Sequence, residues 1–247
     1  MTDAFRAAMP AAMPTAFTAA PPPPRTQAVQ QRPGSDGEHY LQDLYGTRAR
    51  ADRFYRDQVL DVLTPKMIEF LGRQTQMILS TADNDGRPDS SVRFGHPGFV
   101  AVLDDRTLAW PELRGNGVMT SLGNLAKNPW THLMFLDLEE RIGLHIRGVS
   151  TIVESEVMDS EFPELTQRPG YGRPPERWVI LRVTNSYVHC RKHFPHGSTD
   201  GADDLEHNSD YFGARFTPSP WATDLEPRRP SPAHTTKRHR PWFRRSH

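Results

Sequence analysis

Residues 110–129, with the sequence WPELRGNGVMTSLGNLAKNP, constrain the fold of this chain more than any other segment. The pattern predicts the end of a strand, a glycine-rich turn and the start of a helix in immediate succession. Arg114 adds a fixed positive charge beside Gly115 and Gly117, which are expected to adopt positive φ angles and let a ligand approach the backbone. Three polar side chains would add hydrogen bonds where the first N–H groups of a helix lack partners: Asn116, Thr120 and Ser121. The segment therefore predicts an anion site, most simply a phosphate site.

Short apolar runs joined by turn signals make up most of the sequence between residues 75 and 190. Asp85-Gly86 is a strong hairpin signal, and Asp104-Asp105 marks a second turn. The predicted strands are seven segments: 77–81, 88–94, 98–103, 107–110, 132–136, 143–154 and 178–189. Few of their connections are long enough to carry a crossover helix, so a parallel sheet is not expected. The pattern favours a closed or nearly closed antiparallel barrel.

Helical signals precede and interrupt this strand pattern. Three helices are predicted: residues 37–60, a short helix starting at Thr64, and residues 118–127. Ser35 or Asp36 would cap the first helix, and Pro65 would take the first helical position of the second. The third should stop before Pro129, because the residue preceding a proline is disfavoured in a helix. The fold class is therefore predicted to be mainly β, with an N-terminal helix and short helices packed around the barrel.

The composition changes at both ends of the barrel pattern. Residues 1–34 are rich in Ala, Pro, Thr and Gln and include a PPPP run, which favours extended, solvated chain over a packed core. Residues 198–247 lack a periodic apolar pattern and end in the basic, Pro-rich sequence PRRPSPAHTTKRHRPWFRRSH. We therefore predict two disordered tails that flank one domain over residues 35–197.

Charge and cysteine content limit the partners and the compartment. The 30 Lys and Arg residues balance 30 Asp and Glu residues, so no overall field recruits nucleic acid or a membrane surface, and only the basic C-terminal tail would contribute weakly. The single cysteine, Cys190, excludes an internal disulfide and fits a reducing cytoplasm. No apolar run approaches the roughly 20 residues of a membrane span, and the N-terminus lacks the features of an export signal.

The order and spacing of several motifs carry a resemblance to a known family. The segments PGFVAVLDDRTLAWPELRGNG, NP, IGLHIRG and YVHCRKH follow one another at suitable spacing, with a tryptophan before the last strand. In this order they resemble the pyridoxamine 5′-phosphate oxidase-like, FMN-binding split-barrel family over residues 35–197. The resemblance implies an antiparallel split barrel of six to eight strands, a homodimer, and FMN in the groove between the two subunits.

The resemblance also implies which residues contact the cofactor. The phosphate-binding turn and helix start of the family match four residues here: Arg114, Asn116, Gly117 and Ser121. The flavin-facing strand matches three residues, largely through their backbone groups: Trp110, Pro111 and Glu112. Arg93 falls near the basic strand that reaches the ribityl phosphate. These roles suit the chemistry, because each charge-assisted bond from an arginine to a phosphate is typically worth ~1.5–3 kcal/mol.

The sequence departs from authentic pyridoxamine phosphate oxidases at the positions that would define their substrate. Ser91 and His96 stand where those enzymes carry an Arg-to-Lys strand pattern. Their Ser-Arg-Lys helix start is Met119-Thr120-Ser121 here, and no counterpart is found of the Tyr, Arg and Ser group that holds the substrate's own phosphate. The resemblance therefore implies the cofactor without implying pyridoxamine phosphate as substrate.

The expected function follows from the cofactor. A flavin carries the hydride chemistry itself, so the protein needs no conspicuous acids and bases, and the catalytic residues stay unassigned. We expect an FMN-dependent oxidoreductase that transfers hydride through flavin N5 to or from an unidentified small organic substrate. The alternatives are a flavin-binding or small-ligand-binding protein without turnover, and a split barrel that uses a deazaflavin coenzyme or haem.

Several other residues suggest chemistry when taken alone. His145 and Arg147 are expected to point to opposite faces of their strand, so that at most one reaches a flavin groove. The residues His189, Cys190, Lys192, His193 and His196 form a dense cluster, but a structural zinc site normally supplies four well-spaced ligands, and no metal is expected. Cys190 is expected to be inert, because no paired base is identifiable. Trp130 and Trp178 are expected to be core or interface aromatics.

Overall fold

The computed structural model describes residues 32–166 and 174–189 together with Phe212. Seven strands form one antiparallel sheet in the order β2-β1-β5-β6-β7-β4-β3. In chain order the strands are Gln76–Ala82 (β1), Pro88–Phe94 (β2), Ala101–Asp104 (β3), Thr107–Glu112 (β4), Trp130–Asp137 (β5), Ile142–Glu154 (β6) and Arg177–His189 (β7). The predicted antiparallel architecture is confirmed.

Six helices surround the sheet within the described residues. They are Asp36–Leu44 (α1), Arg48–Gln58 (α2), Pro65–Arg73 (α3), Thr120–Lys127 (α4), Ser155–Glu161 (α5) and Pro163–Thr166 (α6). The predicted caps are confirmed at two helix starts. Ser35 accepts a hydrogen bond from the backbone N–H of Glu38, and Thr64 accepts one from that of Met67, with Pro65 in the first turn. None of these helices combines the length and the apolar character that crossing a bilayer requires.

The sheet curls until two strands that are far apart in its order come into contact. Strands β2 and β4 are five positions apart, which in a flat sheet would separate them by about 24 Å, at about 4.8 Å per strand. Yet Arg93 Nε in β2 lies 3.0 Å from Glu112 Oε1 in β4. Because β2 and β4 share no backbone ladder, the barrel is split along this line.

The core fills the inside of the barrel. Alternate residues of each strand point inward, so Leu144 and Ile146 of β6 are fully buried, as are Leu79 of β1 and Leu133 of β5. Phe212 belongs to the same core and packs edge-on against Phe70 of α3, with 5.3 Å between ring centroids. A second, smaller core lies under α5 and α6 and includes Met158, Phe162, Leu165 and Trp178.

The helical prediction for residues 37–60 is wrong in one respect. The segment forms two helices, α1 and α2, because Gly46 adopts a φ of 62° and interrupts the hydrogen-bonding pattern. The apolar residues that suggested one amphipathic helix do not share a buried face, and α1 buries none of its residues. Helices α5 and α6 were not predicted, although the spacing of Met158, Phe162 and Leu165 is helical.

The predicted tails fall almost entirely outside the described residues. The described part begins at residue 32, shortly before the domain boundary predicted at 35, and Phe212 lies beyond the boundary predicted at 197. The disorder of both tails stays a prediction. Trp178 is a core residue as expected, whereas Trp130 is 51% exposed and is not part of the core.

Candidate functional site

A cavity of about 820 Å³ lies where β2, the end of β4 and the turn before α4 meet. Its volume is within the range of about 300–1,000 Å³ that is usual for small-molecule and cofactor sites. Seven of the eight residues predicted from sequence line it: Arg93, Pro111, Glu112, Arg114, Asn116, Gly117 and Ser121. Trp110, the eighth, is fully buried behind the cavity wall. The structure thus brings the predicted residues together, and their binding of FMN stays a prediction.

The turn between β4 and α4 presents the start of the helix to this cavity. Gly117 adopts a φ of 85°, as predicted, but Gly115 does not have a positive φ, and Met119 takes the second left-handed position with a φ of 57°. The side chain of Asn116 accepts a hydrogen bond from the backbone N–H of Val118 at 3.0 Å. Among the described residues, no side chain caps α4 at Met119. The uncapped helix start therefore offers backbone donors to an anion in the cavity.

Five polar side chains join β4, β2 and α4 across the split in the barrel, and we call them the closure cluster: Trp110, Glu112, Arg93, Ser91 and Ser121. The carboxylate of Glu112 accepts hydrogen bonds from Arg93 Nε and Nη2, both at 3.0 Å, and from Trp110 Nε1 at 2.9 Å. Arg93 Nη1 donates to Ser91 Oγ at 2.7 Å, and Ser91 Oγ lies 3.1 Å from Ser121 Oγ. Sequence reasoning placed Glu112 in the site through its backbone, whereas the structure gives its side chain the central role.

The pairing of Arg93 changes what this residue can do for a ligand. Glu112 occupies the side of the guanidinium that carries Nε and Nη2, and its side chain is only 9% exposed. Ser91 takes one further donor of Arg93. The charge of Arg93 is therefore already compensated inside the protein, and its contribution to binding an anion is reduced to the remaining N–H groups.

Of the arginines that line the cavity, Arg114 has the longest ion pair and the most exposed side chain. Its Nε lies 3.9 Å from Glu176 Oε1, and its side chain is 78% exposed. Arg177, which also lines the cavity, forms a closer ion pair with Glu154 at 3.3 Å. Exposed ion pairs of this kind contribute little to stability, so Arg114 is able to turn toward a ligand at low cost. Sequence reasoning missed Glu176, because its proximity to Arg114 depends on the pairing of β4 with β7.

Comparison with known proteins agrees with this geometry. A family model described as pyridoxamine 5′-phosphate oxidase matches residues 63–190, just over half of the chain. The chain belongs to this family. The matched region contains all seven strands and every residue of the closure cluster. No curated protein matches the chain.

Several solved structures are similar to this family member at low identity. A HupZ protein from Group A Streptococcus is 17% identical, with 55% of this chain and 100% of that chain covered and a TM-score of 0.42. A putative pyridoxamine 5′-phosphate oxidase from Lactobacillus delbrueckii is 18% identical, with coverage of 53% and 98% and a TM-score of 0.41. An FMN-binding protein from Syntrophomonas wolfei is 12% identical, with coverage of 63% and 98% and a TM-score of 0.39. The family assignment rests on the matched region and not on these similarities.

A second polar chain lies on the outer face of the sheet of this family member. It consists of His132 on β5, His145 on β6 and His189 on β7, which we call the histidine row. His132 Nε2 lies 2.8 Å from His145 Nδ1, and His145 Nε2 lies 2.8 Å from His189 Nδ1. The ring of His145 also stacks on Tyr187, with centroids 4.6 Å apart. Sequence reasoning did not single out His132, which becomes a neighbour of His145 only through the register of β5 and β6.

The expectation that His145 and Arg147 point to opposite faces is wrong. Residues two apart on a strand share a face, because the side-chain period of a strand is two. Both contact the ring of Tyr187: His145 stacks on it, and the Arg147 guanidinium lies 5.6 Å from its centroid. The face they share is the outer one, since Leu144 and Ile146 fill the barrel interior.

Burial favours the neutral forms of His132 and His145. Loss of solvent lowers the pKa of His145 to about 3, and repulsion by His132, His189 and Arg147 adds to the effect. Burial likewise lowers the pKa of His132 to about 4, with Arg147 as a further cause. At neutral pH the neutral ring of His145 therefore donates one of its two hydrogen bonds in the row and accepts the other.

The described residues contain no group of three or more side chains arranged to hold a metal ion. Of the cluster noted in the sequence, only His189 is described, and Cys190, Lys192, His193 and His196 lie outside the described residues. The predicted roles of these four residues are therefore not tested.

Proposed function

We propose that the cavity binds FMN and that the protein is an FMN-dependent oxidoreductase acting on a small organic substrate. The observation that carries the proposal is the convergence of Arg114 and the uncapped start of α4 on a cavity of cofactor size in a member of this family. Bound FMN would supply hydride transfer at N5, and the protein would position the ring and exclude water.

The donor set fits the phosphate of such a cofactor. A phosphate carries about two negative charges and is bound well by backbone N–H groups at a helix N-terminus. Gly117 and Met119 hold the turn in left-handed conformations that bring the first turn of α4 to the cavity. Arg114 would add a mobile positive charge, and Ser121 a hydroxyl on the first turn of the helix.

We extend the proposal to a homodimer with FMN between the two subunits, in the cytoplasm. The dimer is supported by the family and by apolar residues left exposed on the sheet, such as Val92, Phe94 and Trp130. The cytoplasmic location is supported by the single cysteine. Light scattering tests the dimer directly, and a monomer at micromolar concentration would count against an interfacial site.

A flavin-binding protein without turnover is the second candidate, and one observation favours it. The buried carboxylate of the cavity, Glu112, is fully engaged by Arg93 and Trp110, which leaves it poorly placed to exchange a proton with a substrate. The use of a deazaflavin coenzyme or haem in place of FMN remains the third candidate. All three predict a coloured ligand, and its chemical identity separates them.

The chromophore of the purified protein is the first measurement. We expect a yellow protein that releases FMN on denaturation, or a colourless one that takes up added FMN; failure of both would refute FMN binding. Reduction of the bound flavin by a nicotinamide cofactor, followed by reoxidation by an acceptor, would distinguish the enzyme from the binding protein.

Arg114→Ala tests the position of the phosphate. Loss of one charge-assisted bond of ~1.5–3 kcal/mol should raise the Kd for FMN about 10- to 100-fold. The apo-protein should keep its Tm, because the pair with Glu176 is exposed. Arg106→Ala is the matched control, since Arg106 forms an exposed pair with Asp61 and does not line the cavity. Equal losses of FMN affinity in the two variants would remove Arg114 from the site.

A further inference from the structure

Three side chains of the closure cluster form a short hydrogen-bonded chain from β2 to the start of α4, and we call it the donor chain: Arg93, Ser91 and Ser121. Arg93 Nη1 donates to Ser91 Oγ at 2.7 Å, and Ser91 Oγ lies 3.1 Å from Ser121 Oγ. Ser121 belongs to the first turn of α4 and is buried, with 6% of its surface exposed. All three residues line the cavity.

The direction of the donor chain follows from its charged end. A guanidinium has only donors, so Ser91 Oγ must accept from Arg93. Among the described residues, the hydrogen of the Ser91 hydroxyl then has one acceptor within reach, Ser121 Oγ. The opposite direction would aim two donors at Ser91 Oγ and leave the hydrogen of Ser91 without a protein acceptor. The chain therefore runs from Arg93 through Ser91 to Ser121.

This direction decides what the hydroxyl of Ser121 offers to a ligand. Its oxygen accepts from Ser91, so its own hydrogen is left to be donated into the cavity. Successive hydrogen bonds polarise one another, and the positive charge at the far end strengthens Ser121 as a donor. The backbone N–H groups at the start of α4 are donors as well. Donors from both sources suit a group that only accepts, such as a phosphate dianion.

The donor chain also gives Arg93 an indirect influence on the start of α4. The carboxylate of Glu112 holds Nε and Nη2 of Arg93, which limits how far the guanidinium can turn toward a ligand. The bond to Ser91 passes its polarising effect on without such a movement. All these groups belong to one subunit, so the direction of the chain does not depend on what a partner subunit adds to the cavity.

We infer that Ser91 is a positioning residue for the cofactor phosphate, because it holds the hydroxyl of Ser121 as a hydrogen-bond donor toward the phosphate oxygens. The inference rests on the proposed function, since the phosphate of FMN is the acceptor. It assigns different tasks to the two serines: Ser121 contacts the phosphate, and Ser91 acts through Ser121.

A double-mutant cycle tests this order of action. The Kd for FMN is measured by quenching of flavin fluorescence in the wild-type protein, Ser91→Ala, Ser121→Ala and the double variant. Ser121→Ala should raise the Kd about 10- to 100-fold, because a bond to a charged acceptor is lost. Ser91→Ala should raise it about 3- to 10-fold, because the hydroxyl of Ser121 remains but loses its orientation. The double variant should bind FMN no more weakly than Ser121→Ala.

Three outcomes of the cycle would overturn the inference. Additive losses would mean that Ser91 acts independently of Ser121. An unchanged Kd in either single variant would mean that the hydroxyl concerned plays no part in binding. Tighter binding by Ser91→Ala would mean that Arg93, once released from Ser91, serves the phosphate directly.

Control variants separate positioning from a loss of stability. Ser91→Thr keeps the hydroxyl on a residue that suits a strand, and its Kd for FMN should stay within about 3-fold of the wild type. Ser150→Ala removes a buried hydroxyl that accepts from Thr131 at 2.8 Å and does not line the cavity. It should lower the Tm and leave the Kd unchanged. A loss of affinity in Ser91→Thr as large as that in Ser91→Ala, or an equal loss in Ser150→Ala, would overturn the inference.

Riboflavin, which lacks the phosphate, locates the effect on the ligand. Ser91→Ala should leave the Kd for riboflavin unchanged, and equal losses for riboflavin and FMN would assign Ser91 to the shape of the cavity and overturn the inference. The proposed function fails separately. Absence of FMN uptake by the wild-type protein refutes FMN binding, whereas normal uptake with additive losses in the cycle refutes the role of Ser91 alone.

Discussion

The closure cluster and the histidine row are both chains of polar side chains that cross several strands, but they connect different kinds of neighbours. The histidine row lies over β5, β6 and β7, which are already joined by backbone hydrogen bonds. The closure cluster joins β2 to β4, which share no ladder in the sheet. The histidine row uses hydrogen bonds between imidazole rings, whereas the closure cluster is built around an ion pair. Side chains in the closure cluster therefore replace a missing backbone connection, whereas those in the row supplement an existing one.

The largest expected effect follows from breaking the closure cluster at its centre. Glu112→Ala leaves Arg93 without its counter-ion and the buried Nε1 of Trp110 without an acceptor. Removing one partner of a buried pair costs about 3–5 kcal/mol, which should lower the Tm of the apo-protein by about 10 °C. Glu154→Ala is the control, because its ion pair with Arg177 is exposed and worth less than about 1 kcal/mol. Similar losses of Tm in both variants would show that the side-chain contacts between β2 and β4 do not stabilise the barrel.

A smaller effect is expected at Ser91, which belongs to the closure cluster, and it is compared with Ser80, whose hydroxyl pairs with Ser90 in an exposed position. Ser91→Ala removes the acceptor of Arg93 Nη1 and should cost about 1.5–3 kcal/mol, since that bond involves a charged donor. Ser80→Ala removes an exposed hydroxyl pair with Ser90 and should change stability by less than about 0.5 kcal/mol. Urea unfolding of the two apo-variants measures both values. The reverse order would contradict the structural role of the closure cluster.

The smallest expected effect concerns the histidine row and appears as a pH dependence. The pKa of His145 is lowered to about 3 and that of His132 to about 4, so the unfolded chain binds protons at higher pH than the folded one. Their stabilising contribution is present above about pH 6.5 and is lost as the pH falls through 4 toward 3. Between pH 7 and 5 the loss should be on the order of 1 kcal/mol, allowing for partial exposure of the rings.

His145→Gln provides the test of that origin. Glutamine does not titrate, so the fall in Tm between pH 7 and 5 should become shallower in this variant. Tm is measured at half-unit pH intervals in a buffer of constant ionic strength. An unchanged slope would assign the acid sensitivity to other groups, and the histidine row would then contribute nothing measurable to stability.

Local signals in the sequence predicted much of the fold. The Thr64-Pro65 helix start, the hairpin turn at Gly86 and the end of α4 before Pro129 each depend on a few adjacent residues, and all three are confirmed. The glycine-rich turn was also placed correctly between β4 and α4. Such features are predictable because they depend on interactions between residues that are only a few positions apart in the sequence.

Features that depend on register were not predictable in the same way. The pairing of Glu112 with Arg93 depends on how the sheet curls, and that of His132 with His145 depends on the residue-by-residue alignment of β5 and β6. No short sequence pattern specifies these side-chain pairs. The positive φ predicted for Gly115 is not observed, and Met119 at the start of α4 adopts a positive φ instead. The cavity lining was therefore predictable, and the ion pairs inside it were not.

Phe212 connects a distant part of the chain to the N-terminal cap of α3. The hydroxyl of Thr64 accepts the backbone N–H of Met67 and donates to the carbonyl oxygen of Phe212 at 2.7 Å, across 148 positions of sequence. The ring of Phe212 fills the same core as Phe70. A shortened protein that ended with the last strand would open a void of aromatic size beneath α3 and leave the capping hydroxyl with half of its bonds. The boundary of the cooperative folding unit is thus set by a core contact and not by the end of the sheet.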